Sequence, residues 1–360
     1  MTQPVSIHTQ VSPISRSLDL SPNPYPPLKA PQVPQSNLHS LPAIWARKYF
    51  VAVTSDYDAA QVKKLDRLSD YEAPEGRQYT TEKLMQNLKL STAQAWSMTE
   101  NLLSEEMLRH SIDPSLLDPW KIAADSHQLF EKALTAYSNR LTAPRLAVIV
   151  GDDCGQLRQK YTAEDPRVIG FVSMQFHHTG KILLGQLEPA ERSLFAPYLK
   201  VMDDHMYMPL RDAYQAAARH EADSPALLAV QNLLPISSRI AHRVCDQIRR
   251  LNPGYQTLSG SLNSSAVRTS SIRDVEMFLV YLCLCVLEGD VLAVQRQLFP
   301  LCIMLYPRLN VKWQMVQDML QVIGWEMYGQ LPADSMTILI PYLRTLTEMF
   351  SSEVFQDEEG

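Results

Sequence analysis

The stretch from Ser271 to Asp290 reads SIRDVEMFLVYLCLCVLEGD. It predicts one helix over 273–288, with Gly289 marking the break after it. From Met277 to Leu287 the residues are apolar nearly all round the helix. A helix of that kind belongs at the buried centre of a bundle, not on its surface. Its apolar run is far short of the ~20 residues that cross a bilayer.

Working outward, three more helices are expected downstream, over 291–306, 311–328 and 335–350, with Pro307 between the first two. Val311, Met315, Met319 and Leu320 recur at helical spacing, as do Met336, Leu339, Ile340, Leu343 and Leu346. Upstream, a Ser-rich link runs from Ser259 to Ser271. Before it, Asp223-Ser224-Pro225 opens a long helix that reaches about Leu251, kinks at Pro235 and stops at Asn252-Pro253-Gly254. Helices are also expected over 209–220, where Pro takes the favoured first position, and over 188–200.

The next segment reads differently. Leu146-Ala-Val-Ile-Val150 predicts the one convincing strand of the chain. A strand needs a partner, and 167–172 is the nearest candidate, although it also reads as the start of a helix ending near Gly180. Ser126 to Leu141 predicts a helix after the breakers Pro114 and Pro119. Leu84, Leu88, Ala95, Met98 and Leu102 carry the helical period from Thr81. Around 45–75, Trp45, Tyr49 and Phe50 are expected to pack on the body, and the charged run from Lys63 to Arg77 to be exposed. The first 42 residues are rich in Pro and read as a disordered tail, or as a Pro-rich ligand for a partner groove. The last eight residues form an acidic end.

The expected organisation is therefore mainly α: a tail over 1–44, a mostly helical region over 45–200 with a small strand element at 146–150, a helical domain over 201–352, and an acidic tail over 353–360.

Composition narrows the function. The 360 residues include 24 Pro and only 12 Gly, and no G-x-G-x-x-G or G-x-x-x-x-G-K-[ST] is present. A net charge of −6, with a pI near 5.9, gives no basic stripe for nucleic acid. The five cysteines, Cys154, Cys245, Cys283, Cys285 and Cys302, are odd in number and include no C-x-x-C pair. They fit reduced thiols in a cytosolic compartment.

Arg273-Asp274, the apolar Phe278-Leu279 and Cys285-x-x-x-Gly289-Asp290 together resemble the central helix of phycobilisome α and β subunits, the globin-like light-harvesting proteins of cyanobacteria and red algae. Leu292 to Leu305 resembles the family's next helix, Leu309-Asn310-Val311 its short Leu-Gly-Val corner, and Ser335 to Phe350 its terminal helix. The resemblance spans about 205–350 and leaves 1–200 without a counterpart. It implies a globin-like fold for the C-terminal domain and a place in photosynthesis. In the family a Cys two residues before Arg-Asp forms the thioether to a linear tetrapyrrole. Here that position is Ser271, whose hydroxyl does not make this bond, so no covalently attached pigment is expected. The resemblance also implies that Arg273 and Asp274 would hold a bilin non-covalently, the guanidinium on a propionate and the carboxylate on pyrrole N–H groups. Read without it, an Arg-Asp pair at a helix start caps the helix and favours its dipole. The family's aromatic pair appears as Met277-Phe278, and a following Arg as Val280. Both changes remove polar pigment contacts and favour the cap.

Other chemistry is weakly signalled. Haem needs an axial ligand, and no His falls in 291–306. His177-His178 and Asp203-Asp204-His205 are the best metal candidates, but sequence neighbours point to different helix faces, so both read as exposed polar residues and caps. Gly151-Asp152-Asp153-Cys154-Gly155 reads as a turn after the strand, its two Asp raising the thiol pKa rather than activating it. Arg239 and Arg243 share a helix face within a local basic cluster that reads as a docking face for an acidic protein. The resemblance implies association through an early helix pair, which makes 205–250 the candidate interface.

The expected function is that of a non-enzymatic, bilin-free relative of light-harvesting subunits. It would act in the cytoplasm, peripheral to the thylakoid membrane, in assembly, attachment or regulation of phycobilisomes or photosystems, with oligomers formed through the globin-like domain. A non-covalent bilin or tetrapyrrole sensor is the second expectation, and an enzyme built on 146–205 the third.

Overall fold

The computed structural model describes residues 41–55, 68–352 and 354, with side chains from 41 to 49 in the first segment. The Pro-rich tail other than Leu41 and Pro42, residues 63–67, and the acidic end other than Val354 lie outside the described residues.

The fold is mainly helical. In chain order the helices are α1 (Leu41–Ser55), α2 (Leu68–Glu72), α3 (Pro74–Arg109), α4 (Pro119–Ser138), α5 (Ala143–Thr162), α6 (Ile169–Gly185), α7 (Pro189–Tyr207), α8 (Leu210–Ala217), α9 (Pro225–Leu233) and α10 (Ser237–Leu251). After a two-stranded hairpin, β1 (Gln256–Thr257) and β2 (Gly260–Ser261), come α11 (Ser265–Glu288), a π-helical stretch (Val294–Leu298), α12 (Phe299–Leu305), α13 (Trp313–Gln330) and α14 (Ala333–Met349).

Local chemistry sets many of the ends. Pro occupies the first turn of α3, α4, α5, α7 and α9, where its missing N–H costs nothing. The Asp118 carboxylate caps α4, accepting from the Trp120 and Lys121 amides at 3.0 and 3.2 Å. Ser264 caps α11 by accepting from the Val267 amide at 3.3 Å. Gly289 closes α11 with a φ of 75°, and Asn310 takes the same left-handed region at the corner before α13.

Helix α11 is the centre. Every residue from Val275 to Leu287 is buried, Glu276 included. Helices α8, α9, α10 and α14 pack around it, and α13 packs on α10 and α14. Towards the N-terminus, α3, α4 and α6 form a second packed group, and α5 lies between α7 and α1. Pro235 lies in a 3-10 turn between α9 and α10, where the kink was expected.

Several expectations are corrected. The strand over 146–150 is the second turn of α5. Leu146, Ala147, Val150 and Cys154 are buried on one helical face, while Val148 and Ile149 are exposed. Five apolar residues, three of them β-branched, were too short a window to separate the two periods, and tertiary packing overrode propensity. The glycine-flanked turn at 151–155 is also inside α5. Gly151 and Gly155 lie one turn apart, and another helix presses close on the second of them. A Cβ on Gly155 would fall 2.2 Å from the Arg211 side chain, and one on Gly151 would meet the His205 ring at 3.7 Å. Finally, the Ser-rich link ends early, because α11 already starts at Ser265. Arg273 and Asp274 are therefore in its third turn and cap nothing. Helix α7 runs without a break across the expected domain boundary at 200–201. Among the described residues, no helix is long and apolar enough to cross a membrane.

Candidate functional site

Two groups of charged side chains meet where α7 crosses α11. The first is sealed apart from the Lys200 side chain, which keeps 21% of its surface and reaches the cleft described below. Lys200 and Asp204 stand one turn apart on α7, Glu276 projects from α11, and Lys48 enters from α1. The Lys48 ammonium lies 2.7 Å from Glu276 Oε2 and 3.2 Å from Asp204 Oδ2. The Lys200 ammonium lies 3.2 Å from Asp204 Oδ1 and 3.4 Å from Glu276 Oε2. Ser238 of α10 donates its hydroxyl to Glu276 Oε1 at 2.5 Å. Both carboxylates are 1% exposed. The Lys48 ammonium also sits 3.6 Å above the Trp45 ring, a cation–π contact made strong by burial. Burial lowers the Lys48 pKa despite its two carboxylates. Burial would also lower that of Lys200, but Asp204 and Glu276 outweigh it and hold it raised. For Glu276 burial pushes upward, and the two ammonium groups win, holding it below the usual carboxylate range.

The second group is more open. The Arg273 guanidinium donates through Nη1 to Asp203 Oδ2 at 2.8 Å. Through Nε and Nη2 it donates to Asp274 Oδ1 at 3.2 and 2.9 Å. Its plane lies 3.6 Å from the Tyr207 ring. Arg273 itself is 6% exposed, whereas Asp203 and Asp274 keep 23% and 20% of their side-chain surface. His177 of α6 brings Nδ1 to 3.7 Å from Asp203 Oδ1, too long for a hydrogen bond. Burial opposes ionisation of Asp203, but the Arg273 charge holds its carboxyl far below the usual range.

This second group opens into a cleft of about 480 Å³ between the α6–α7 pair and the start of α11. Arg273, Asp203, Lys200 and His177 line it, beside apolar Leu184, Leu194 and Pro197. Ser271 and Asp274 face a separate cavity of about 80 Å³, lined also by Cys245, Tyr306 and Met319. The two residues that the family resemblance assigns to one pigment therefore line different cavities.

The expected site residues are redistributed. His177 and Asp203, from two different clusters, come together through the α6–α7 hairpin, a pairing that comparing sequence neighbours alone did not reveal. The reading of these clusters as exposed polar residues is overturned for three of them: His178, Asp204 and His205 are buried. The His205 Nδ1–H donates to the Val201 carbonyl at 2.8 Å, and burial pulls its pKa down to about 4. Burial does the same for His178, also to about 4. Among the described residues, no three His, Cys, Asp or Glu side chains are grouped to hold a metal. Cys154, Cys283, Cys285 and Cys302 are buried and Cys245 is half-buried. Burial raises all five thiols, Cys245 and Cys285 to about 12. Arg239 and Arg243 stay exposed on α10, contacting Gln330 at 2.7 Å and Glu326 at 3.5 Å along the edge of α13.

Lys48, Lys200, Glu276 and Arg158 escaped the sequence reading. Glu276 carried a usable signal, being a lone acid beside the most apolar run of the chain. Arg158 is buried on α5, donating to the Met206 carbonyl, to Tyr281 Oη at 2.9 Å and to Gln297 Oε1 at 3.0 Å. Gln297 belongs to the π-helical stretch, whose extra residue per turn redirects side chains. No family model, curated protein or solved structure matches the chain.

Proposed function

We propose that the chain is a bilin-free, non-enzymatic interaction protein, with a globin-like arrangement over 201–352 and partners in the phycobilisome or the photosystems. The photosynthetic setting rests on the resemblance of residues 205–350 alone. The observation that carries the bilin-free reading is the internal use of Arg273. Each of its three nitrogens donates to Asp203 or Asp274, using three of its five N–H groups, and its face is covered by Tyr207. A guanidinium engaged in that way holds α7 to α11 and is not presented to a propionate. The small cavity at Ser271 agrees, since small-molecule sites run to about 300–1,000 Å³. The raised thiols add to this, because the thiolate is the species that forms a thioether.

Arg239 and Arg243, exposed on α10, are the proposed contact face for an acidic partner. The test is co-sedimentation of the purified chain with intact phycobilisomes and, separately, with photosystem complexes. Migration with one of them, lost in the Arg239→Glu/Arg243→Glu double variant, is the expected result. A chain that stays at the top of the gradient with both contradicts the proposal.

A further inference from the structure

We infer that the cleft between the α6–α7 hairpin and the start of α11 is a binding site for a single-chain amphiphile with one anionic head. This goes beyond the interaction role and does not depend on it. At about 480 Å³ the cleft is within the size range of small-molecule sites. Its wall is apolar and incompletely covered: Leu184, Leu194 and Pro197 are only half-buried by the protein, so a hydrocarbon chain against them would remove further apolar surface from water.

The charges in the lining select the head group. Asp203 is answered by Arg273, and Asp204 by Lys200 and Lys48. Lys181, exposed at the rim, makes no ion pair or hydrogen bond among the described residues. The unanswered charge of the lining is therefore one ammonium. Three hydroxyl hydrogens of the lining are already committed. Ser193 donates to the Ala190 carbonyl at 2.8 Å, Thr269 to Ser265 at 3.0 Å and Ser270 to Ala266 at 3.3 Å. An anionic head at the rim thus finds Lys181 as its donor, and a cationic head finds each carboxylate already neutralised. A flexible ammonium suits a single charge and lacks the planar fork that grips a carboxylate at two points.

The experiment is a calorimetric titration of the full-length protein with dodecanoate, dodecanol and dodecylammonium, each below its micellar concentration. Dodecanoate is expected to bind one per chain and at least tenfold tighter than either comparison compound. Lys181→Glu should weaken dodecanoate at least tenfold. Ala266→Trp, at an exposed position on the lining, should abolish binding by filling the cleft, with the circular-dichroism spectrum and melting temperature unchanged in both variants. Equal affinity for the three compounds, absence of binding, several equivalents per chain, or full affinity in the Ala266→Trp protein would overturn the assignment.

Discussion

The two charge groups at the α7–α11 crossing differ in the access of their acids to water: both carboxylates of the first are 1% exposed, and those of the second keep about a fifth of their surface. In the Lys48–Lys200–Asp204–Glu276 group, both acids and Lys48 are closed off by α1, α10 and aromatic rings, and only Lys200 reaches the cleft. In the Arg273 group the cation is buried, Asp203 faces the cleft and Asp274 faces the smaller cavity. A sealed ion pair is costly to break, because the partner left behind cannot find water, whereas a pair beside a cleft can be rehydrated when one member is lost. The sealed group therefore fixes the position of α1 against the core, and the open group forms the floor of a site.

The comparison can be broken at several points. The largest effect is expected for Glu276→Leu, which strands two buried ammonium groups on one carboxylate. A loss of about 3–5 kcal/mol in denaturant unfolding is expected. A loss below about 1 kcal/mol would mean that the sealed group is hydrated. Acid comes next. His205 and His178 are held near pKa 4 against an ordinary 6.5, so the stability they contribute is complete above pH 6.5. It falls as the pH drops from 6.5 towards 4, by about 3 kcal/mol for each. Replacing His205 with Phe should remove about that share of the acid loss, read from unfolding curves at pH 7 and pH 4. Arg273→Leu should cost less, about 2 kcal/mol, because Asp203 and Asp274 are each about one-fifth exposed and can be rehydrated. Equal costs for Glu276→Leu and Arg273→Leu would erase the distinction between the groups. Lys181→Glu should be the smallest, within about 0.5 kcal/mol, because the side chain is exposed and unpaired.

The C-terminal helices were legible because each carries a long apolar period bounded by Pro or Gly. The continuous apolar face of 277–287 placed α11 at the centre from sequence alone. Helix α5 was not legible, because its two glycines look like turn residues. The close approach that Gly155 allows, by Arg211, depends on a helix that follows it by more than 50 residues. The site was half legible. Arg273, Asp274, His177 and Asp203 were each singled out, but Lys48 reads as an ordinary surface lysine until α1 is docked. The start of α11 was hidden by small polar residues, Ser265 to Ser271, whose weak helix propensity looks like a linker and is overruled by packing at Val267 and Ile272.

The most direct test is the visible absorbance of the full chain co-expressed with a bilin biosynthesis pathway, recorded before and after denaturation in acidic urea. With Ser271 in place of a thiol and Arg273 committed to its two carboxylates, a colourless protein is expected. Absorbance that survives denaturation would place a covalent pigment on one of the five cysteines and contradict the account.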